Sequence, residues 1–239
     1  MKNKVPIVLA GRDDLNKLAG RFRKSGRIHI PDFLEPCSAK KIHATLSNQD
    51  QWNLTWNNNG KHVDMDYTGV MNWTEPQKQQ LTEIVYTQAA EGFQYYYAAI
   101  PIYDIYQARL LPGHFFNRIY EFFNSEELIN FVREITGLER IKFADMQATR
   151  FSAGHFLTEH DDQVHGKNRL AAYVLNLTPN WRADWGGALV FPDTEGFSEV
   201  LFPKFNALNI FSVPQKHLVS VVSPFTHRRR YSITGWFRH

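Results

Sequence analysis

The stretch RYSITGWF, residues 230–237, decides the fold class because its residues alternate in character along the chain. Successive side chains of a β-strand point to opposite faces, so every second residue shares a face. One face of this strand would carry Arg230, Ser232, Thr234 and Trp236. A guanidinium beside hydroxyl groups forms a fork that matches a carboxylate. The stretch therefore predicts a strand with one face that binds an anion.

Several similar runs precede this strand. From about residue 140, short segments rich in β-branched and aromatic residues are separated by Gly, Pro, Asn and Asp, which is typical of strands joined by turns. Seven or eight such strands within about a hundred residues predict a sandwich or a small barrel. The strand candidates are IKFADMQATRF (141–151), HFLTEHDD (155–162), RLAAYVLNLT (169–178), GGALVFP (186–192), ALNIFSV (207–213), HLVSVV (217–222) and RYSITGWF (230–237).

The first half of the chain predicts mainly helices. Their predicted ranges are 35–49, 74–100 and 124–138. The second would begin at Thr74 as N-cap and continue as one long helix, and the third would be capped by Ser125 and end at Gly137. The polar, Asn-rich segment 51–67 predicts an irregular excursion between helices.

These elements predict one α+β domain over residues 1–239, with a mainly β core. We expect residues 1–138 to form a helical N-terminal elaboration with the first strands, and residues 139–239 to form the barrel. The helices would then pack against the outside of the barrel.

The triplet His160-Asp161-Asp162 offers metal ligands. On a strand, His160 and Asp162 point to the same face while Asp161 points away; Asp161 could be the ligand only if the strand end carried a bulge. His217 opens another apolar alternating run and is the candidate third ligand. Two imidazoles and one carboxylate form the facial triad of non-haem Fe(II) oxygenases, which leaves positions open for a substrate and O₂. Zn²⁺ is the alternative ion for such a set.

A second His-x-Asp pair, His62 and Asp64, lies in the polar segment between predicted helices. No succession of strands follows it to hold a third ligand. Metal ligands need rigid support from the scaffold, so we expect this copy not to bind a metal.

Composition excludes several classes of protein. The single cysteine, Cys37, rules out an internal disulfide and a cysteine-rich metal cluster. The net charge is only +3 and the basic residues are not interleaved with aromatic ones, which argues against direct nucleic-acid binding. No apolar run approaches the roughly 20 residues of a membrane span, and no secretory signal is evident. We therefore expect a cytoplasmic protein that does not bind membranes.

The order of the motifs HDD, LNLTPNW, WGGALVFP, FNALNIFSVPQKHLVSVV and RRRYSITGWF resembles that of the Fe(II)/2-oxoglutarate-dependent dioxygenases, and within them the prolyl hydroxylase branch. The resemblance covers about residues 140–238, and the N-terminal half is more loosely similar to the ribosomal-protein prolyl hydroxylases. It implies a double-stranded β-helix, a jelly-roll or cupin-like barrel. It also implies Fe(II), with 2-oxoglutarate and O₂ as cosubstrates and ascorbate in support.

The resemblance also implies roles for individual residues. It assigns His160, Asp162 and His217 to iron, and Arg230 with Ser232 or Thr234 to the distal carboxylate of 2-oxoglutarate. Two positions depart from the family, since Phe151 and Asn176 stand where the prolyl hydroxylases commonly have Tyr. Asn176 can still donate a hydrogen bond from its amide, whereas Phe151 cannot. Arg169 matches a position near the substrate opening, and Tyr173 is expected in the core.

The function that we expect is hydroxylation of an unactivated C–H bond, with release of succinate and CO₂. The resemblance favours a prolyl residue of a protein or peptide, with the translation machinery as the source of that substrate. An oxygenase acting on a free amino acid or small metabolite is one alternative. A non-catalytic ligand-binding barrel is another, because a fold alone never proves an activity.

Overall fold

Two layers of β-strands dominate the computed structural model, which describes residues 6–193 and 195–239. The strands are β1 (Arg27–Ile30), β2 (Asn53–Asn58), β3 (Lys61–Met65), β4 (Tyr95–Ile100), β5 (Phe143–Ala144), β6 (Gln147–Phe151), β7 (Phe156–His160), β8 (Arg169–Asn176), β9 (Leu189–Pro192), β10 (Ser198–Leu201), β11 (Ala207–Ser212), β12 (His217–Val219) and β13 (Arg230–Arg238). The helices are α1 (Leu15–Ser25), α2 (Pro36–Ser47), α3 (Tyr67–Met71), α4 (Glu75–Glu91), α5 (Ile102–Gln107), α6 (Phe115–Phe123) and α7 (Glu126–Thr136).

The chain alternates between the two layers. One layer has the order β1-β11-β8-β13-β6 and the other β7-β12-β9-β10, with β4 pairing to both β6 and β7. From β6 to β13 successive strands therefore cross between the layers, except that β9 and β10 pair within one layer, and this is the jelly-roll arrangement of a double-stranded β-helix. Apolar side chains fill part of the space between the layers, including Val174, Leu189 and Phe211. The double-stranded β-helix implied by the sequence resemblance is confirmed.

The main core lies on the outer face of the first layer, where the helices pack. Alternation along β13 places Tyr231, Ile233 and Phe237 in this core and leaves the other residues of the strand for the barrel interior. Helix α6 brings in Phe116 and Phe123, both fully buried, and burial of one such side chain stabilises the fold by roughly 2 kcal/mol. The packing of the helices outside the barrel is as expected.

The predicted long helix over residues 74–100 is wrong in its second half. Thr74 does form the capping box that begins α4, but the helix ends before Gly92. The aromatic run that follows becomes β4, which lies between β6 and β7 and so joins the two layers. Backbone hydrogen bonding to three strands outweighs the helical spacing of the sequence here.

The predicted irregular excursion over residues 51–67 is also wrong, because this segment contains the β2–β3 hairpin. Asn59 and Gly60 form its two-residue turn, and both have positive φ angles (52° and 83°). An Asn-Gly pair is the favoured sequence for such a turn. β2 then pairs with β4, so the hairpin extends the sheet beside the barrel opening.

The remaining predictions of secondary structure largely agree with the structure. All seven strand candidates contain strands, and α7 is capped by Ser125 and ends at Gly137 in the left-handed conformation. β1 and β10 have no counterpart in the prediction. Within the described ranges, no helix combines the length and apolar character required to cross a bilayer.

Candidate metal centre

Two histidines face each other at the open end of the barrel. His160 ends β7 and His217 begins β12, and the two residues are direct partners in the antiparallel pair. Each Nδ1 lies against a backbone carbonyl two residues earlier, that of Thr158 at 2.9 Å and that of Gln215 at 2.8 Å. Nδ1 therefore carries the proton in both rings, and the lone pair of each Nε2 is free to bind a cation.

Asp162 completes the cluster from a loop. Its Oδ1 lies 3.3 Å from Nε2 of His160 and its Oδ2 lies 3.4 Å from Nε2 of His217. The prediction that strand alternation aligns His160 and Asp162 is wrong, since β7 ends at His160 and Asp162 has a positive φ of 64°. This left-handed turn of the backbone directs the carboxylate back toward the two imidazoles. Asp161 instead accepts a hydrogen bond from the backbone N–H of Gln163 through its side chain.

The three side chains fit a divalent metal ion, since one ligand atom from each lies within 4.8 Å of the others. Ligand atoms about 2.1 Å from a shared ion lie about 3 Å apart when their bonds meet at a right angle, close to the two separations found here. Burial lowers the pKa of His217, which keeps its imidazole neutral. Burial raises the pKa of Asp162, but its contacts with His160 and His217 lower it below its usual range. In the parts of the chain that the structure describes, this is the one cluster with such geometry.

The other His-x-Asp pair lies on a strand outside the barrel layers. His62 and Asp64 lie on β3, and Nδ1 of His62 is 2.6 Å from the hydroxyl of Tyr95. Neither residue belongs to the candidate cluster, and the expectation that this pair binds no metal stays a prediction.

Arg230 is a buried cation without an anion. Its side chain is 2% exposed, and its Nε and Nη1 have no hydrogen-bond partner. Nη2 donates to Oδ1 of Asn176 at 3.4 Å, and the guanidinium lies 5.1 Å from the centre of the Phe151 ring. Burial lowers its pKa to about 10. Leaving buried donors unpaired costs free energy, so this pocket suits a ligand that brings a carboxylate.

The remaining predicted cosubstrate residues line the same interior. Ser232 pairs with Asn176 in the β8–β13 register, and its hydroxyl is 2.8 Å from that of Thr149. The hydroxyl of Thr234 is buried and unpartnered. Arg230, Ser232, Asn176 and Thr234 thus lie together, although Ser232 already has a hydrogen-bond partner.

Arg169 supports the loop that carries Asp162. Its Nη1 donates to the backbone carbonyl of Asp162 at 2.9 Å, and its guanidinium lies 3.5 Å from the centre of the Trp236 ring. A role for Arg169 in contacting substrate stays a prediction. Tyr173 is fully buried and donates to the carbonyl of Asp145, as expected of a core residue.

An aromatic wall, defined as Phe93, Tyr95, Tyr97 and Phe151, was missed because its first three residues were assigned to a helix. The Phe93 ring is 5.2 Å from the His160 ring, and Tyr95 lies 5.7 Å from Phe93 and 5.8 Å from Tyr97. Tyr97 stacks on Phe151 at 5.0 Å with an interplanar angle of 14°. The wall therefore runs from the metal cluster to Arg230. The aromatic run and the preceding Gly92 were the available signals for a strand.

Comparison with known proteins finds one family model and a relative that match part of the chain. Residues 146–238 match the model of the 2OG-Fe(II) oxygenase superfamily. The mouse (Mus musculus) protein named prolyl 3-hydroxylase OGFOD1 is 32% identical over 121 residues, which are 47% of this chain and 22% of that relative. The chain therefore aligns with less than a quarter of the length of this relative.

Two solved structures share the fold at low sequence identity. An oxidoreductase of the 2OG-Fe(II) oxygenase family from Burkholderia pseudomallei has a TM-score of 0.61 and 14% identity, covering 98% of this chain and 96% of that one. A prolyl hydroxylase from Trichoplax adhaerens, in complex with a hypoxia inducible factor peptide, has a TM-score of 0.56 and 15% identity, covering 94% and 88%. These findings confirm the resemblance seen in the sequence motifs.

Proposed function

We propose that this chain is an Fe(II)- and 2-oxoglutarate-dependent dioxygenase that hydroxylates a prolyl residue in a protein. The observation that carries the proposal is the pairing of an open His-Asp-His cluster with a buried, unneutralised arginine in the same barrel. A dicarboxylic 2-oxo acid has one end that chelates a metal and another that neutralises a guanidinium. The superfamily match over residues 146–238 supports the same assignment.

Each part of the site would hold one component of the reaction. His160, Asp162 and His217 would bind Fe(II) and leave coordination positions open. Bound Fe(II) would supply the oxidative chemistry, with one oxygen atom of O₂ entering the succinate formed as 2-oxoglutarate loses CO₂ and the other entering the C–H bond. Arg230 would bind the distal carboxylate, with Asn176 holding its guanidinium in place.

The interior hydroxyls and the ring of Phe151 complete the cosubstrate pocket. Ser232 and Thr149 hydrogen-bond to each other, which fixes the Ser232 hydroxyl beside Asn176. The unpartnered hydroxyl of Thr234 is free to donate to the ligand. Phe151 contributes its ring to the Arg230 pocket and excludes water from it. The same residues thus give the pocket a preference for a dicarboxylate over a neutral molecule.

A prolyl substrate is supported by the opening of the site. The ring of Phe93 is 47% exposed and lies against His160, so it presents an apolar face where a substrate would meet the metal. A pyrrolidine ring packs well on such a face. The relative and the structural neighbour reported above are themselves named as prolyl hydroxylases, one of them with a bound peptide.

We also propose a cytoplasmic location and a substrate from the translation machinery. The one cysteine, Cys37, is an exposed free thiol, which suits a reducing compartment. The substrate class follows the looser similarity to ribosomal-protein prolyl hydroxylases.

Succinate formation tests the function directly. Anaerobically purified, Fe(II)-loaded protein would receive 2-oxoglutarate, O₂ and ascorbate, with His217→Ala and Arg230→Ala as variants. We expect turnover in the wild type, none in the first variant, and recovery at high 2-oxoglutarate in the second. A wild type that binds neither iron nor 2-oxoglutarate would instead indicate a non-catalytic barrel.

A further inference from the structure

The aromatic wall carries one polar group inside the barrel, the hydroxyl of Tyr97. Tyr97 lies on β4 opposite the end of β6, and its ring stacks on Phe151. Phe151 in turn lies under the guanidinium of Arg230. Only the Phe151 ring therefore lies between Tyr97 and the Arg230 guanidinium. The segment that carries Tyr97 was predicted from the sequence to be helical.

Gln147 holds this hydroxyl on the metal side of the pocket. Its Nε2 donates to the Tyr97 oxygen at 3.4 Å, and Gln147 is the direct partner of Thr234 in the β6–β13 pair. Thr234 lies between Arg230 and Trp236 on the inner face of β13, and Trp236 stacks with the arginine that binds the Asp162 carbonyl. Tyr97 and Gln147 thus lie between the anion pocket and the metal cluster.

Two further properties suit Tyr97 to donate to an anion. Its 3.4 Å contact with Gln147 is long for a hydrogen bond and uses the tyrosine oxygen as acceptor, as does its hydrogen bond with the Thr55 side chain, so neither contact takes the O–H proton. Burial, with a smaller contribution from the charge of Asp162, raises the pKa of Tyr97, so the hydroxyl keeps its proton. Phe151, the ring closest to Arg230 on this wall, has no group that could take this part.

We propose that the Tyr97 hydroxyl, positioned by Gln147, donates a hydrogen bond to the bound 2-oxo acid on the metal side of Arg230, and so replaces the hydroxyl that Phe151 lacks. This inference rests on the proposed function, because it needs 2-oxoglutarate in the barrel. The inference gives Tyr97 on β4 a part in binding the cosubstrate, although this strand lies outside the motifs of residues 140–238.

Direct binding measurements on the intact chain test the inference. 2-Oxoglutarate would be titrated into anaerobic, Fe(II)-loaded wild type, Tyr97→Phe and Tyr95→Phe, by calorimetry and by the visible absorption of the Fe(II) chelate. Tyr95 is the matched control because its hydroxyl, on the same face of the same strand, is bonded to His62 on the rim. Loss of a hydrogen bond to a charged group should weaken binding by about tenfold to a hundredfold in Tyr97→Phe. Tyr95→Phe should bind as the wild type does.

The outcomes separate this inference from the proposed function. An affinity of Tyr97→Phe within about twofold of the wild type, or an equal loss in both variants, would overturn the role of the hydroxyl while leaving the oxygenase intact. A wild type that takes up no Fe(II) or 2-oxoglutarate would overturn the proposed function and the inference with it. Melting temperatures without ligand establish that each variant is folded, and Gln147→Met should show a smaller loss in the same direction as Tyr97→Phe.

Discussion

His160 and His217 are direct partners across the β7–β12 pair, with ring centres 4.1 Å apart. Sheet pairing therefore fixes two of the three metal-binding side chains, whereas Asp162 reaches them from a left-handed turn beyond the strand. The geometry of the loop selects which of two adjacent aspartates faces the imidazoles.

Replacement of each aspartate by alanine should separate their roles. Asp162→Ala removes a metal ligand. Mutation of a residue that only supports a ligand typically lowers metal affinity by 10–100-fold, so we expect Asp162→Ala to lower it by at least about a hundredfold. Asp161→Ala should leave the affinity nearly unchanged, because that carboxylate bonds to the backbone of Gln163. Calorimetric titration with Mn²⁺ measures both. A larger loss of metal affinity in Asp161→Ala than in Asp162→Ala would mean that Asp161 is the ligand.

Arg230→Met should stabilise the ligand-free protein while abolishing its affinity for 2-oxoglutarate. Arginine at this position leaves two buried donors unpaired, and a buried donor without a partner costs about 1–3 kcal/mol, so an apolar side chain of similar volume should stabilise the ligand-free fold. Urea unfolding of the metal-free protein gives the change in stability. Arg229→Met, at the exposed neighbouring position, is the control. A clear loss of stability in Arg230→Met would mean that the guanidinium has a structural partner.

His155 should make the fold sensitive to acid. It is buried against Tyr96, and burial lowers its pKa to about 4 from an ordinary value near 6.5. Between these two values the unfolded chain binds a proton that the folded chain does not, so stability falls as pH falls, by up to roughly 3 kcal/mol. His155→Phe should remove this part of the pH dependence. Urea unfolding of the metal-free wild type and of His155→Phe at pH 7 and pH 4.5 measures this effect. An equal fall in the free energy of unfolding for both proteins between these pH values would refute the assignment.

Gly235→Ala should disrupt the contact between β13 and the loop before β6. A Cβ atom at Gly235 would lie 2.1 Å from the backbone oxygen of Asp145 and 2.9 Å from the hydroxyl of Tyr173. Forced overpacking of this kind costs about 3 kcal/mol, which corresponds to a melting temperature lower by about 6–12 °C. Gly20→Ala is the matched control, since nothing lies within 4 Å of its Cβ position in α1 and the change should stabilise by up to about 1 kcal/mol. Thermal unfolding followed by circular dichroism measures both.

The barrel strands could be predicted from the sequence because each one has a buried face, and apolar residues recur at every second position along such a strand. Arg230, Ser232 and Thr234 do share the inner face of β13, as the period of two requires. Asp162 was identified by the same argument, but the reason was wrong, since its position depends on a backbone angle that local alternation does not encode.

The sheet extension was not readable in the same way. Asn59-Gly60 was a usable hairpin signal that the polar character of the segment obscured. β4 is different, because its conformation is set by three partner strands that are distant in sequence. The stacking of Tyr97 on Phe151 follows from that pairing, so spacing within the chain could not predict it.

The β2–β3 hairpin is hydrogen-bonded within the sheet to β4, and in the described strands it does not pair with β7, β12 or β13. Its turn and outer strand can therefore change in length or charge while the backbone pairs that hold His160, His217 and Arg230 stay as they are. The hairpin could therefore change during selection for a different target protein while the site residues keep their positions. Exchange of residues 58–61 between related barrels is accordingly the place to begin redesigning what this scaffold recognises, because Asn57 and His62 on either side bond to Gln94 and Tyr95.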